Sequence, residues 1–330
     1  MRTFIAAAVA AVATAIMSED EFAFIQYIAK YGKNYTSQAE YNERFANYMA
    51  MDAAIKTFNH ENSLSKHGHN KFSDRSRHEM KAMNGYRPAP KDPSTPVHKV
   101  TNVDNQPASV DWVAAGNVLG IQDQAQCGSC WAFSATCAVE SSYSIATNTP
   151  PLNLSEQQLV SCSKLNLGCN GGNFGWAWNY LRDHPQELNS SYPYTSGTGV
   201  TGPCLYNSAL GVVSTQSPTA WTSVAGDPTS MMNAVAIKPN SVAIEADTYY
   251  FQSYTSGIMT NAAACGTTLD HAVVIVGYGT DVPTGMMYWT VRNSWGTSWG
   301  DLGGYFLVEM TTGSGVCGIN MDVAYPFTNN

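Results

Sequence analysis

The chain has 330 residues, enough for two or three folding units. Its 44% hydrophobic content, with 8 Trp and 18 Tyr against 13% charged residues, excludes an intrinsically disordered chain. The net charge of −8 is unevenly spread: residues 106–330 carry four basic side chains (Lys164, Arg182, Lys238, Arg292) against fourteen acidic ones, a net of −10, whereas residues 16–105 carry twelve against eleven and five of the seven His. The C-terminal two-thirds therefore lacks the basic patch that binding to phosphate backbones requires, so nucleic acid is not an expected partner.

Met1-Arg2-Thr3, the apolar run 4–12 and Ala13-Thr14-Ala15 together read as a signal peptide, residues 1–15, cleaved after Ala15. That stretch is too short to span a bilayer and no other segment is long enough, so no membrane partner is expected. Secretory entry permits disulfides, and all eight Cys lie between 127 and 317. Three N-x-[ST] sequons, at Asn34, Asn153 and Asn189, suit this compartment, each a weak signal by itself.

Over residues 19–59, Phe22, Ile25, Ile28 and Ala29, then Phe45, Tyr48, Met51, Ala54, Ile55 and Phe58, recur in steps of three and four. The spacing predicts two helices with a break at 32–36. Residues 88–107 contain Pro-Ala-Pro-Lys-Asp-Pro-Ser-Thr-Pro, which blocks helix and reads as an extended linker. A helix is expected over 130–145, another after Ser155, and strands at 241–244, 271–276, 287–291 and 305–309. A helix-rich half, about 106–215, thus precedes a β-rich half, about 216–330.

The densest chemical signal is Gln124-Ala-Gln-Cys127-Gly128-Ser129-Cys130-Trp131. A Cys in a helix's first turn feels the positive end of the helix dipole, which favours thiolate. Only two His follow residue 105: His184 precedes Pro185 in a polar loop, and His271 opens an apolar strand that fixes its ring, so His271 is the better base. Asn293, in Arg292-Asn293-Ser294-Trp295, can orient the imidazole. Gln124 can aim its amide at the same point as the Cys130 N–H, giving two donors for an oxyanion. Singly, each residue has an ordinary structural explanation; jointly those explanations are improbable. No metal or cofactor is implied, because Cys127-x2-Cys130 has no second pair at zinc-site spacing.

Cys127-Gly-Ser-Cys130-Trp131, with His 141 residues on and Asn 22 beyond that, resembles the papain-like cysteine proteases. Glu40, Arg44, Tyr48, Met51, Ile55 and Asn59 fall on the ERFNIN-type pattern of cathepsin L-like propeptides, with Tyr for Phe and Met for Asn as departures. Gly68, Asn70, Phe72 and Asp74 match the second propeptide motif without departure. The resemblance implies an α+β, papain-like two-domain fold: a helical left domain, a β-barrel-like right domain and a cleft between. Residues 16–105 would form a helical inhibitory propeptide, with the Pro-rich stretch running through the cleft, and the peptidase domain would begin near Gln106.

The resemblance also pairs Cys127 with Cys169, Cys162 with Cys204 and Cys265 with Cys317. That leaves Cys137, besides Cys130, as a free thiol, expected to be a buried small residue. Substrate would meet Gly128, Trp295, the backbones of Gly171, Gly172 and Asp270, and a pocket lined by Asn173, Phe174, Ala243 and Leu269 with Asp322 at its floor. An acidic floor predicts acceptance of Arg or Lys as well as Phe or Leu. Ala125, where the family usually has Gly, is expected to stiffen its turn.

The activity expected is that of a monomeric secreted zymogen: a cysteine endopeptidase acting on proteins and peptides, in a lysosome, acidic vacuole or outside the cell. Its own propeptide and cystatin-like proteins would be the inhibitors. The competing readings are a catalytically impaired homologue acting as a binding protein, which should have lost Cys130, His271 or Asn293, and a peptide ligase on the same fold. An exopeptidase is disfavoured, since no Cys pair remains for an extra disulfide-bounded loop. From the charge asymmetry, His protonation should tighten propeptide docking, and release in acid should follow carboxylates, Asp74 among them.

Overall fold

The structure is a computed structural model that describes residues 17–61, 64–90, 92–101, 106–217 and 219–328. The expected signal peptide, residues 1–15, lies outside the described residues. The N-terminal unit holds helices α1 (Glu19–Tyr31) and α2 (Gln38–Glu61), strand β1 (Ser65–His67) and helix α3 (Arg77–Met83). Capping boxes open two of these helices, Ser18 with Glu21 at α1 and Ser76 with Glu79 at α3, and α1 stops at Gly32 in the left-handed region (φ +59°).

The face α1 buries differs from the expected one. Phe24 and Tyr27 are buried whereas Phe22 and Ile25 are exposed, because Phe24 inserts among Tyr35, Tyr41, Phe45 and Tyr48. Aromatic rings on α2 and the connecting loop decide the face, and the spacing of aliphatic residues in α1 does not report them. On α2 the expected Tyr48, Met51 and Ile55 are buried.

The propeptide motif residues tie this unit together and to the rest of the chain. Glu40 caps α2 by accepting from the Thr36 N–H and hydroxyl, and Arg44 pairs with Glu79 and donates to the Asp74 carbonyl. Asn59 exchanges two hydrogen bonds with the His67 backbone. Asp74, buried, accepts from Tyr27 Oη, Lys33 Nζ and Tyr35 Oη at 2.7–2.9 Å. Gly68 donates its N–H to the Ser253 carbonyl, the Asn70 amide donates to the Gln252 carbonyl, and Phe72 meets the Trp295 ring edge-on at 5.4 Å.

After residue 106 come β2 (Val110–Asp111), α4 (Cys130–Thr147), α5 (Glu156–Cys162), α6 (Phe174–Asp183), β3 (Gln186–Glu187), β4 (Gly211–Val213) and β5 (Trp221–Ser223). They are followed by α7 (Pro228–Val235), β6 (Asn240–Ile244), α8 (Tyr249–Gln252), β7 (Tyr254–Met259), α9 (Ala262–Cys265), β8 (His271–Thr280), β9 (Met287–Arg292), β10 (Tyr305–Glu309) and β11 (Val323–Pro326). Ser155 caps α5, as expected, by accepting from the Gln158 N–H at 3.0 Å. The main sheet runs β1-β7-β10-β9-β8-β6-β11-β5, with β2 pairing β8. It is antiparallel except between β7 and β10.

Helix α4, buried almost throughout, packs on β8 between the helical and the β-rich halves. The helical half builds one core around Trp131, Phe174 and Trp178; the β-rich half builds another around Trp289, Trp295, Trp299, Phe251 and Phe306. The three expected disulfides, Cys127–Cys169, Cys162–Cys204 and Cys265–Cys317, are present. Cys137 is a buried free thiol against Val274 and Val276. Asn34 and Asn153 are exposed, and Asn189 is partly buried.

Candidate active site

Cys130 is the first residue of α4, following the Gly128-Ser129 turn. Hydrogen bonds from the Ala272, Gly85 and Trp131 backbones favour its thiolate, yet complete burial wins and pushes the thiol up to about 12. The expectation of a depressed pKa from the helix terminus is therefore not met in this form of the chain. The N-terminal unit lies over the sulfur and removes the water a thiolate needs.

Ala272, whose N–H reaches Cys130, directly follows His271, the first residue of β8. His271 Nε2 lies 2.8 Å from Asn293 Oδ1, and the Ser294 N–H donates to the same oxygen at 2.8 Å. That second donor identifies the atom as the amide oxygen, so Nε2 carries the proton. Nδ1 is left as a lone-pair acceptor, and among the described residues it has no hydrogen-bond partner. Burial holds the imidazole down to about 4 despite the Asn293 bond, which favours the cation. The Trp295 ring, 4.9 Å from His271, covers the pair from the side. Thiol and imidazole are thus both neutral here.

Gln124 is oriented as firmly. Its Oε1 accepts from Ser294 Oγ at 2.7 Å, which turns Nε2 toward two carbonyls, Cys127 at 2.8 Å and Met83 at 2.7 Å. The Met83 carbonyl ends α3, so an N-terminal-unit oxygen occupies the donor expected to hold an oxyanion. Ala125 has φ +54°, a left-handed conformation that glycine adopts without strain and alanine does not.

The chain that crosses the site is 83–87, and not the Pro-rich stretch downstream. Asn84 donates to the Asp270 carboxylate at 3.2 Å, and the Tyr86 N–H donates to the Asp270 carbonyl at 2.7 Å. The Gly85 carbonyl accepts from Gly172 N–H and the Arg87 N–H donates to the Gly172 carbonyl, both at 2.8 Å, forming a parallel bridge. Gly85 is required by closeness: a Cβ there would stand 1.8 Å from the Gly128 carbonyl oxygen. Gly171 is also too close for a side chain, 2.5 Å from the Gly85 carbonyl for an added Cβ. Prolines cannot make this crossing, since it uses the N–H groups of 86 and 87.

Tyr86 fills the expected pocket. Its ring stacks on Phe174 at 5.3 Å and shares an apolar cluster with Ala243 and Leu269, while its hydroxyl accepts from the Asn173 amide at 3.0 Å and donates to Asp322. Asn173, Phe174 and Asp322, three of the proposed pocket residues, therefore converge on one side chain. The Asp270 carboxyl, half-buried near Asp247 and Glu245, is pushed up to about 7, chiefly by loss of solvent around it. Asn84, Gly85, Tyr86 and Ser294 were not among the site residues read from sequence. A Gly-aromatic pair ahead of the Pro-rich linker was the available signal for Gly85 and Tyr86.

Residues 106–327 match the family described as papain family cysteine protease, and residues 24–80 match the cathepsin propeptide inhibitor domain (I29). The chain is similar to vignain of Ricinus communis, 39% identical over 78% of this chain and 72% of the relative. Among solved structures it is similar to a recombinant stem bromelain precursor (TM-score 0.82, 32% identity, 94% of this chain and 99% of that one). It is also similar to digestive procathepsin L 3 of Tenebrio molitor larval midgut (TM-score 0.78, 31% identity, 94% and 100%).

Proposed function

As a member of the papain family of cysteine proteases, the chain is a cysteine-type peptidase in zymogen form, and we propose that it is an endopeptidase working through Cys130, His271, Asn293 and Gln124. His271 Nδ1 takes the Cys130 proton, and the sulfur attacks the peptide carbonyl carbon. Gln124 Nε2–H and the Cys130 N–H hold the oxyanion, His271 then protonates the leaving amine, and a water activated by the same imidazole hydrolyses the thioester. The observation that carries this reading is the Met83 carbonyl on Gln124 Nε2, a peptide oxygen already held where an oxyanion would form.

The propeptide inhibitor domain in the same chain supports intramolecular inhibition. In this reading the signal peptide covers 1–15, the propeptide 16–105 and the peptidase 106–330, with a family match that starts at 106. Three disulfides support passage through the secretory pathway, toward an acidic vacuole, a lysosome or the exterior. Cystatin-like proteins are the inhibitors proposed for the freed cleft, and the enzyme acts as a monomer.

The test is acidification of the zymogen with reductant, then mass measurement and titration with a thiol-directed epoxide, alongside Cys130→Ser. Loss of about ten kilodaltons, as expected for ~90 residues, with one label on Cys130 supports the reading. A chain trimmed by added protease that neither takes the label nor cleaves peptides would leave the binding-protein alternative standing.

A further inference from the structure

Beyond the cleft, the linker is held at a second, separately built seat. The Pro96 carbonyl accepts from Ser223 N–H at 2.9 Å and Ser223 Oγ at 3.1 Å, and the His98 N–H donates to the Ser223 carbonyl at 2.8 Å. Val97 thereby pairs in parallel with Ser223, on the edge strand β5. Three residues on, the Asn233 amide pairs with both backbone groups of Thr101: Nδ2 donates to its carbonyl at 2.7 Å, and Oδ1 accepts its N–H at 3.2 Å. Asn233 Oδ1 also lies 2.9 Å from His98 Nε2, and Tyr325 Oη lies 2.9 Å from His98 Nδ1.

Because Asn233 Oδ1 can only accept, Nε2 of the neutral ring donates, and Nδ1 accepts from the Tyr325 hydroxyl. Ser223, Asn233 and Tyr325 come from three different elements, β5, α7 and β11. They read an extended backbone in three places and one side chain. Pro is tolerated at 96 because that residue uses only its carbonyl, and Val97, 60% exposed, is not selected. A His two residues after the pairing carbonyl is selected, since both its ring nitrogens are matched.

We propose that the seat formed by Ser223, Asn233 and Tyr325 is a peptide-binding exosite of the processed enzyme, which adds an extended segment of the form Pro-x-His to the edge of β5. The excised linker is its first ligand. Excision of residues 16–105 uncovers one backbone N–H, one carbonyl, a hydroxyl, a side-chain amide and a phenol whose positions the folded unit itself fixes. This is the arrangement by which a sheet edge captures a peptide strand.

The test uses the processed enzyme with Cys130 capped by the epoxide, so that nothing is cleaved and the cleft is filled. A fluorescent peptide of residues 92–101 is titrated by anisotropy. Saturable binding, displaced by unlabelled peptide and at least about tenfold weaker for the His98→Ala peptide, is expected, each lost tenfold being one factor in the binding constant. The enzyme variant Asn233→Ala should weaken the parent peptide by a similar factor. If that variant does not fold, the peptide change alone decides. Equal binding of a scrambled peptide, or none at all, overturns the exosite. The mass shift and the epoxide label, read on the same sample, report separately on the catalytic reading.

Discussion

The Tyr86 hydroxyl donates to the Asp322 carboxylate while its ring stacks on Phe174, in the proposed substrate pocket. The propeptide thus plugs the pocket with a side chain that is apolar along its ring and a donor at its tip. Arg and Lys share this design, an apolar stem ending in donors, and add a charge that Asp322 would pair.

Asp322→Ala should therefore cost the processed enzyme cleavage of dipeptide substrates with Arg two residues before the scissile bond, by about tenfold or more in kcat/KM, while substrates with Phe there are cleaved as before. Equal loss on both substrates would mean that Asp322 supports the pocket's shape and does not select charge. In the zymogen, Tyr86→Phe should loosen the propeptide by about 1–3 kcal/mol, because Asp322 and Asn173 lose a buried partner. Residual activity at neutral pH would report it.

The burial of His67 predicts a His component of acid activation opposite in sign to the one expected from charge counting. His67 is buried where β1 pairs with β7, between Ser65 Oγ and Ser253 Oγ at 3.0 Å each, with the Phe58 and Tyr250 rings beside it. Among the described residues no carboxylate touches the ring there, and burial lowers its pKa from 6.5 to about 4. With the docked value depressed, docking is fully supported above about pH 6.5 and weakens as the pH falls toward 4, by up to ~3 kcal/mol. His67→Leu should move the activation midpoint to lower pH. An unmoved midpoint would return the trigger to the carboxylates.

In the zymogen, Cys130 is pushed up to about 12 and His271 down to about 4. Iodoacetamide should accordingly modify zymogen Cys130 at a rate rising about tenfold per pH unit from pH 6 to 9. After processing the cover is gone, the helix terminus and backbone donors act on a hydrated sulfur, and the rate should be faster and flatter. Parallel profiles before and after processing would show that the propeptide blocks access without altering ionisation.

Gly85→Ala places a carbon 1.8 Å from the Gly128 oxygen, and backbone on both sides leaves no flexible atom to yield. The crossing segment must lift, breaking its bridge to Gly172. Epoxide labelling of the unprocessed zymogen at neutral pH should rise by about a hundredfold, the scale of a severe core clash. Unchanged labelling would place the seal elsewhere.

The proposed pair Cys130 and His271 was legible because the residue types are few: two His after residue 105, one opening an apolar strand, and one Cys heading a helix free of Gly and Pro. The cysteine pairing and pocket came from resemblance, and the structure brings those residues together. The buried face of α1 was not legible, because Phe24 is chosen by aromatic rings on α2 and its preceding loop, which periodicity within α1 cannot see. Nor was the crossing segment: proline content marks extended chain, but the cleft demands N–H donors and a residue without Cβ, which Gly85 and Tyr86 supply. The burial of His67 was not legible either, because net charge describes a surface, and this ring lies in a seam between β1 and β7.

The N-terminal unit touches the main sheet at both ends, β1 on β7 and the linker on β5. A sheet left by processing therefore has two open margins at once, each able to template a strand from another copy. The peptidase unit's excess of fourteen acidic over four basic side chains then acquires a role. Mutual repulsion between like-charged copies guards the margins that the clasp has vacated. High salt, which screens that repulsion, should make the processed enzyme self-associate under conditions where the zymogen stays dispersed.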